Sequence, residues 1–278
     1  MNYRHAFHAG NFADVHKHTA LAAIIGHLRR KAAPFCVIDT HAGRGLYDLS
    51  GAEAARTAEV AQGVGRLAEY GATAESLARY LEIVRGFLPR SYPGSPLIAA
   101  KLMREPDRLV AIETQPDEFA ALRACVAGYR NARTIPGDGY ARLPNLLPPP
   151  ERRGLILIDP PYESSDEAEQ AAQALSAAIA RFATGIFMIW HPLKSAVWAN
   201  AFAGEIRSRN AAKLLSLTLD VGRNETDASD RLTASGLLVV NPPYGLDSEM
   251  EAAQSEMLPI LRQGSDGAAK VTWLAGKA

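Results

Sequence analysis

The sequence predicts an α/β fold in which a doubly wound, mainly parallel sheet is covered by helices on both faces. Short β-rich runs alternate with longer segments in which apolar residues recur three or four positions apart. The short runs are almost continuously apolar, which is typical of strands that are buried on both sides. We predict seven strands, at residues 35–39, 108–113, 132–135, 155–159, 185–190, 213–219 and 236–240.

The segments between the strands have helical patterns, and one of them is too long for a simple crossover. Phe119, Leu122 and Val126 form a typical apolar stripe. Residues 50–92 contain no convincing strand and are rich in Ala, Leu, Glu and Arg. Because a crossover between parallel strands needs only one helix, we interpret residues 50–92 as a small helical subdomain inserted into a single domain of residues 1–278. In the YPGSP motif that follows, we predict Ser95 as the N-cap and Pro96 as the first residue of the next helix.

The composition excludes several classes of protein. The 278 residues include 30 basic and 30 acidic side chains, so any nucleic-acid contact must come from a local patch. The two cysteines are far apart and resemble neither a disulfide framework nor a zinc site. The N-terminus lacks the apolar core of a signal peptide, and no apolar run has the length of a membrane span. We therefore expect a cytoplasmic protein with no membrane contact.

Four acidic residues lie at the ends of successive predicted strands. Asp39, Glu113 and Asp159 end the first, second and fourth strands, and Asp138 follows the third. In open α/β sheets, ligands bind beyond the carboxyl ends of the strands, where the strand order reverses. We therefore expect these carboxylates to line one ligand site. The alternative is a set of solvated acids beside ordinary loop glycines.

The glycines after the first strand indicate the kind of ligand. Gly43 and Gly45 allow the backbone to approach a ligand closely, but the third glycine of the dinucleotide fingerprint is missing. This disfavours a nicotinamide oxidoreductase and favours a ligand without a pyrophosphate. S-adenosylmethionine fits, because its ammonium and sulfonium groups are cationic and suit a cleft of carboxylates. We expect Glu113 to accept from its ribose diol, Asp138 to accept from its adenine amino group, and the Gly139 N–H to donate.

The DPPY motif at residues 159–162 predicts the chemistry. An exocyclic amine of adenine is a poor nucleophile, because its lone pair is delocalised into the ring. Two acceptors on that amine, the Asp159 carboxylate and the Pro160 carbonyl, would draw the nitrogen towards a tetrahedral geometry. Asp159 would accept a proton as the nitrogen becomes cationic during methyl transfer. The prolines leave few competing backbone donors, and Tyr162 offers a flat face for a base that has left its stack.

A near repeat of this motif, NPPY at residues 241–244, follows the last strand of the predicted core. In a methyltransferase sheet this strand is antiparallel to the others, so its carboxyl end points away from the ligand site. We interpret NPPY as a structural turn and DPPY as the active motif.

Several blocks together resemble one family. YRHAFHAGNFADVHKHT, DTHAGRG, YPGSPLIA, RRGLILIDPPYE, RFATGIF and LTASGLLVVNPP resemble, in order and spacing, the RlmJ family of bacterial 23S ribosomal RNA adenine-N6 methyltransferases over essentially the whole chain. The resemblance implies a Rossmann-like class I methyltransferase that uses S-adenosylmethionine and no metal. It implies a monomer that acts on the N6 amino group of a specific adenine, of the 2030 type, in 23S rRNA. One departure is His191 in IWHP, where the family has an aromatic residue.

The resemblance also implies roles for matching residues. Those that would contact the methyl donor are His18, His41, Gly43, Ser95, Glu113, Asp138, Gly139 and Asp159. Asp159 would be the catalytic acceptor, in a motif shared with Pro160 and Tyr162. Tyr3 would contact the substrate RNA, with Lys17 as a second substrate contact.

The N-terminal block is also notable by itself, because four of the seven histidines lie in the first eighteen residues. A zinc site is one alternative, but no cysteine or acidic cluster accompanies them. Helix capping and core packing are another. We favour a locally basic segment with Tyr3 that binds RNA. The polar loop at residues 222–235 is either a lid or RNA contact, or a plain hairpin connection.

Two other functions remain open. A DNA adenine-N6 methyltransferase fits the DPPY motif, but we find no separate sequence-reading module. A non-catalytic RNA-binding ribosome-assembly factor fits the fold, but the intact residues 159–162 argue against it.

Overall fold

The computed structural model of the protein describes residues 8–50, 59–164, 166–209, 212–223 and 231–276. Ten strands are found in these residues: β1 (Cys36–Asp39), β2 (Leu46–Asp48), β3 (Ser91–Pro93), β4 (Arg108–Glu113), β5 (Ala132–Pro136), β6 (Gly154–Ile158), β7 (Ile186–Pro192), β8 (Leu214–Asp220), β9 (Ala234–Val240) and β10 (Ala268–Ala275). Eight of them form one sheet in the order β10-β8-β9-β7-β6-β1-β4-β5. From β7 to β5 all neighbours are parallel, whereas β9, β8 and β10 add antiparallel pairs at the other side.

The predicted α/β class is confirmed, but the predicted count of seven strands is wrong for this sheet. The additional strand is β10, an edge strand paired only with β8. All residues of β10 are exposed or partly buried. It lacks the continuous apolar run by which the buried strands were recognised. Strands β2 and β3 were also missed, because each has only three residues. They form a separate antiparallel pair with Leu46 opposite Pro93.

Helices cover both faces of the sheet: α1 (Phe12–Arg29), α2 (Glu59–Gln62), α3 (Val64–Leu67), α4 (Glu75–Arg85), α5 (Ser95–Leu102), α6 (Pro116–Val126), α7 (Gly139–Arg142), α8 (Glu167–Arg181), α9 (Ala196–Ser208) and α10 (Leu246–Leu261). Because helices cover both faces, all five residues of strand β6 are buried. Leu155 and Leu157 pack in the core cluster on the α1 side, and Ile156 and Ile158 in the cluster on the α8 side. A strand covered on both faces is apolar at every position.

Helix α1 is buried on nearly all sides, with 15 of its 18 residues buried. Asn11 caps it by accepting from the Asp14 N–H at 3.0 Å. Its buried residues include the consecutive polar side chains His16, Lys17 and His18. Buried polar groups need hydrogen-bond or charge partners, and the partners of these three residues are described with the candidate site below.

Helices α2, α3 and α4 lie between β2 and β3, within the segment that we interpreted as an insertion. The predicted apolar face of α4 is buried through Leu77, Tyr80, Leu81 and Val84, and α4 packs against α1. The division of the chain into a single domain with an inserted subdomain stays a prediction. None of the helices in the described parts of the chain has the length and apolar character that crossing a membrane requires.

Strand β1 lies between β4 and β6, so the strand order reverses there and the carboxyl ends of the parallel strands converge at one edge. Strand β9 is antiparallel to β7, and the NPPY residues therefore leave the sheet at the opposite edge. There Asn241 donates to the carbonyls of Ala183 and Gly185 at 2.9 and 2.8 Å, and Tyr244 is 83% exposed. This agrees with the interpretation of NPPY as a structural turn.

Candidate active site

A cavity of about 710 Å³ lies at the edge where the parallel strands end. This volume is in the range of small-molecule and cofactor sites. The predicted site residues that line it are Lys17, His18, His41, Gly43, Ser95, Glu113, Asp159 and Pro160. Asp138, Gly139 and Tyr162 are outside its wall. Tyr3 and residues 224–230 of loop 222–235 fall outside the described residues.

At one end of the cavity, the backbone fixes the Glu113 carboxylate. Its two oxygens accept from the N–H groups of Gly43 and Gln115 at 2.9 and 2.8 Å. Each oxygen has a second lone pair, so the group can still accept two hydroxyl donors. Burial raises the pKa of Glu113. Gly43 has a φ of +60°, and a Cβ there would be 2.3 Å from the Tyr47 hydroxyl oxygen, so this turn requires glycine.

The turn after β5 packs against the turn after β1. A Cβ on Gly139 would lie 2.1 Å from the Thr40 carbonyl oxygen, so only glycine permits this approach. Asp138 is exposed and caps α7 by accepting from the Tyr140 N–H at 2.8 Å. The Tyr140 ring contacts the His41 ring edge-on, with centroids 4.8 Å apart. Burial lowers the pKa of His41 to about 4, so this cavity residue is neutral at pH 7.

The predicted N-cap role of Ser95 is wrong. The cap residue is Gly94, and α5 begins at Ser95, which puts Pro96 at its second position. The Ser95 hydroxyl instead donates to Asp39 Oδ2 at 2.6 Å, which gives a fully buried carboxylate a hydrogen-bond donor. Burial raises the pKa of Asp39 to about 7, although the Ser95 hydrogen bond acts to lower it.

Asp159 belongs to a buried charge cluster with two residues of α1. Lys17 Nζ lies 2.6 Å from Asp159 Oδ2 and 2.9 Å from Asp14 Oδ1. The exposed fractions of the Lys17, Asp14 and Asp159 side chains are 6%, 2% and 14%. Burial alone would lower the pKa of Lys17, but the two carboxylates raise it well above its ordinary value, so Lys17 is charged. Lys17 therefore contacts the predicted catalytic group, and its contact with RNA stays a prediction.

Tyr162 is in the DPPY motif, but its ring lies beside the cavity wall rather than in it. The residue is 8% exposed, and its backbone φ is +53°. The hydroxyl donates to the Trp190 carbonyl at 2.9 Å. The rings of Trp190, Trp198 and Phe202 surround the Tyr162 ring at centroid distances of 5.8, 5.9 and 6.4 Å. Its role as a stacking surface stays a prediction.

His18 connects the cavity to the helices between β2 and β3. Its Nδ1 is 2.7 Å from the Tyr92 hydroxyl oxygen, which in turn is 2.9 Å from the Tyr80 hydroxyl oxygen. The His18 and Tyr92 rings stack with centroids 5.7 Å apart. This tyrosine pair orients a residue for which the family resemblance implies contact with the methyl donor.

The cavity wall also contains a group of polar residues that the sequence did not connect with one another. His8 Nδ1 lies 3.0 Å from Glu59 Oε1, and this hydrogen bond raises the pKa of His8. Arg231 donates to the side-chain oxygens of Gln62 and Gln263 at 2.6 and 2.7 Å. All five residues line the cavity. They come from four separate segments and share no motif, so no sequence signal connects them.

The described residues contain no group of three or more histidine, cysteine or acidic side chains that could bind a metal ion. His16 and His18, two of the N-terminal histidines, have different partners. His16 Nδ1 is 3.1 Å from Ser235 Oγ, whereas His18 contacts Tyr92. This arrangement does not support the zinc alternative for these two residues.

The sheet order, the reversal at β1 and the acid-lined cavity at the strand ends define a Rossmann-like methyltransferase. Comparison with known proteins identifies the family. A family model described as "Ribosomal RNA large subunit methyltransferase D, RlmJ" matches residues 32–275, and the chain belongs to this family. The resemblance found in the sequence is therefore confirmed.

Individual relatives match over nearly their whole length. The chain is 38% identical over 280 residues to ribosomal RNA large subunit methyltransferase J of Escherichia coli (strain K12). It is 36% identical over 279 residues to ribosomal RNA large subunit methyltransferase J of Haemophilus influenzae. Both matches cover 99% of this chain and 99% of the relative. A crystal structure of a Legionella pneumophila protein has a TM-score of 0.85 at 30% identity, covering 95% of this chain and 98% of that one.

Proposed function

We propose that this protein transfers a methyl group from S-adenosylmethionine to the N6 amino group of an adenine of the 2030 type in 23S rRNA. The main support is the position of Asp159, at the end of β6 in the cavity wall and fixed by Lys17 at 2.6 Å. Family membership supports the reaction class, and the relatives named above are ribosomal RNA large subunit methyltransferases.

The donor end of the cavity suits S-adenosylmethionine. The Glu113 carboxylate can accept from a ribose diol, since each oxygen retains a lone pair beside its bond to a backbone N–H. Gly43 brings backbone close to this position without a side chain. Neutral His41 avoids placing a second cation beside the donor. When bound, S-adenosylmethionine would supply an electrophilic methyl group on a cationic sulfur.

The acceptor chemistry belongs to Asp159 and Pro160. The carboxylate and the Pro160 carbonyl accept from the two N–H bonds of the target amine, which localises the nitrogen lone pair. Lys17 has two functions in this arrangement. Its ion pair fixes the orientation of Asp159, and its positive charge offsets the cost of an ionised carboxylate in a buried site.

The RNA side of the proposal rests on two basic residues of the cavity wall. His8 and Arg231 lie there, and donors of this kind contact phosphate and base edges. We propose that the enzyme works as a monomer in the cytoplasm, where ribosomal RNA is assembled with protein. Light scattering of the purified protein would test the monomer, and a dimer mass would contradict it.

The deciding experiment is the Asp159→Asn variant, which retains the size of the side chain and removes its charge. We expect kcat for methylation of a 23S rRNA fragment to fall by about 100-fold or more, while S-adenosylmethionine still binds in titration calorimetry. Tyr244→Ala in the NPPY turn is the matched control and should be unaffected, because Tyr244 is 83% exposed at the opposite edge. Unchanged methylation by Asp159→Asn would refute the assignment.

Two further measurements separate the rival functions. Mass-spectrometric mapping of rRNA from cells that lack the protein should show one missing N6-methyladenine. Assays on naked rRNA and duplex DNA compare the two polymers directly, and a preference for DNA would favour a DNA adenine methyltransferase. A wild-type protein that binds rRNA and methylates neither polymer would support an assembly factor.

A further inference from the structure

We propose that a second pocket, at the edge of the sheet opposite the candidate active site, binds a phosphate group of the RNA backbone. Its wall includes His27 and Arg30 at the end of α1, Ser76 and Arg79 of α4, and Glu249 of α10. We call it the distal pocket. The choice of RNA as the source of the phosphate rests on the proposed function, whereas the pocket itself is separate from the methylation site.

The size and position of the distal pocket suit one small polar group of a long ligand. Its volume is about 110 Å³, well below the range of about 300–1,000 Å³ for small-molecule sites. Lys17 in the active-site cavity and His27 in the distal pocket are ten residues apart on α1, which is about 15 Å along the helix axis. Double-stranded RNA-binding domains contact about 16 base pairs, so a structured rRNA fragment is long enough to reach both places.

Two buried polar atoms at the distal pocket indicate a polar ligand. Ser76 is 1% exposed, yet its hydroxyl has no hydrogen-bond partner among the described residues, and the same holds for His27 Nδ1. A buried polar group without a partner costs about 1–3 kcal/mol, so such groups are normally satisfied. A phosphate oxygen would accept from the Ser76 hydroxyl, and from His27 Nδ1 when that nitrogen carries the ring proton. Ordered water is the alternative occupant.

The Arg79 guanidinium lies against α1 beside these atoms. It donates to the Ala22 carbonyl at 3.4 Å and forms an ion pair with Glu75, one turn earlier on α4. A Cβ on Gly26 would lie 1.9 Å from Arg79 Nη1, so the guanidinium occupies the space that a side chain at this position would need. Glycine inside a helix costs about 1 kcal/mol relative to alanine, and here it gives a cation room at the pocket wall.

The carboxylates of the pocket wall are bound to donors, whereas one of its arginines is not bound to an acid. Glu75 pairs with Arg79, and Glu249 accepts from the Ser76 N–H at 2.7 Å. Arg30 is exposed, and it forms no ion pair within the part of the chain that the structure describes. Its charge is therefore available to an anionic ligand.

Further cations lie around the end of α1, and they act on His27. Burial lowers the pKa of His27, and the positive charges of Arg30, Arg153 and Lys31 lower it further. The Arg153 guanidinium is fixed in the turn after α1, where it donates to the Ala33 carbonyl at 2.7 Å. A chain with equal numbers of acidic and basic residues thus concentrates basic ones at this edge. A phosphate group matches that charge and accepts from every donor in the pocket.

The salt dependence of RNA binding tests the contact with RNA. The Kd of a fluorescently labelled 23S rRNA fragment is measured by anisotropy between about 50 and 200 mM salt. Loss of one phosphate contact lowers the slope of log Kd against log salt concentration by about 1, and we expect this change in Arg30→Gln. Arg181→Gln is the matched control, because Arg181 is also an exposed arginine at the end of a helix and is not in the pocket wall. Equal slopes for the wild type and both variants would overturn the proposal.

Inorganic phosphate tests the pocket without RNA. Thermal unfolding is followed with added phosphate and with chloride at the same ionic strength. Phosphate also stabilises proteins non-specifically, so the comparison between variants decides. A ligand that binds only the folded state raises the melting temperature, and we expect a smaller rise in Ser76→Ala and Arg30→Gln than in the wild type and Arg181→Gln. An equal rise in all four proteins would mean that the pocket holds only water, and the proposal would be wrong.

The two arms separate the sources of the phosphate and the two proposals. An unchanged salt slope in Arg30→Gln together with a smaller phosphate effect would show a site for free phosphate, and the RNA assignment would fail. If the wild type methylates no rRNA adenine while the phosphate effect depends on Ser76, the proposed function is wrong and the phosphate site is retained. Arg30→Gln changes only an exposed side chain, so it remains the deciding variant if Ser76→Ala does not fold.

Discussion

Replacing Lys17 with methionine is the sharpest test of the charge cluster in the cavity, because methionine keeps the length of the side chain and removes its charge. Lys17 Nζ lies 2.9 Å from Asp14 and 2.6 Å from Asp159. At these separations, an effective dielectric constant of about 20 gives an attraction of about 6 kcal/mol per contact. The cost of burying the three charges offsets most of this. Removing one partner of a buried ion pair costs about 3–5 kcal/mol, since it leaves charge without compensation.

The pH dependence of this effect has a defined sign. The pKa of Lys17 is raised well above its ordinary value of 10.5. The stabilisation from Lys17 is therefore fully present below about pH 10.5 and is lost only as the pH rises through the folded-state value. The stability deficit of Lys17→Met should therefore be about constant from about pH 6 to about pH 9, where Lys17 is charged in the wild type.

Urea unfolding followed by circular dichroism measures this deficit. We expect Lys17→Met to lower the free energy of unfolding by about 3–5 kcal/mol at pH 7.5. Adding Asp14→Asn should recover part of the loss, because one uncompensated charge is removed. Lys270→Met on the exposed edge strand is the control and should change stability by less than about 0.5 kcal/mol. Equal effects of the two lysine replacements would refute the reasoning.

Two further substitutions test the packing and the titration of the strand ends. Gly139→Ala should lower the free energy of unfolding by about 1–3 kcal/mol, because its Cβ would lie 2.1 Å from the Thr40 carbonyl oxygen. Gly71→Ala is the control, because no atom lies within 4 Å of the added Cβ. Equal melting temperatures of the two variants in calorimetry would contradict the predicted clash. Asp39 has its pKa raised from 3.8 to about 7, so it contributes stability below about pH 4 that is lost as the pH rises through about 7. The stability of the wild type relative to Asp39→Asn should therefore fall from pH 4 to 8 in denaturant titrations, and a constant difference would disprove the burial effect.

The sequence predicted the buried strands well because burial on both faces leaves a distinct pattern. In β6, alternate residues enter the two core clusters, so the whole strand is apolar and its end is visible where Asp159 follows Ile158. Strand β10 has one partner and a partly exposed face, so its pattern resembles that of an ordinary surface segment. The missed N-cap at Ser95 has a related cause. Capping rules consider only the residues around the start of a helix, whereas the Ser95 hydroxyl donates a hydrogen bond to Asp39 at the end of β1.

Topology alone explains why predicted residues at the strand ends lie near one another, and their roles stay predictions. Strands β4 and β6 flank β1 and run parallel to it, so their carboxyl ends lie at the same edge, and Glu113 and Asp159 line one cavity there. Contacts between α1 and those strand ends depend on how the helix packs, which no local pattern shows. The spacing of Asp14 and Lys17 is compatible with a pair on one helix face, but nothing local indicates that Asp159, 142 residues away, completes the cluster.

Helix α1 explains why these unpredicted contacts occur together. Successive residues of an α-helix point about 100° apart, so His16, Lys17 and His18 face three different directions. Their partners are Ser235 beside Trp190, the Asp159 carboxylate, and the Tyr92 hydroxyl. Because 15 of the 18 residues of the helix are buried, these three polar side chains have their partners inside the protein. One helix therefore contacts Ser235, Asp159 and Tyr92 through three consecutive side chains. A shift of α1 along its axis would disturb all three, so substitutions in its apolar packing should reduce activity more steeply than stability.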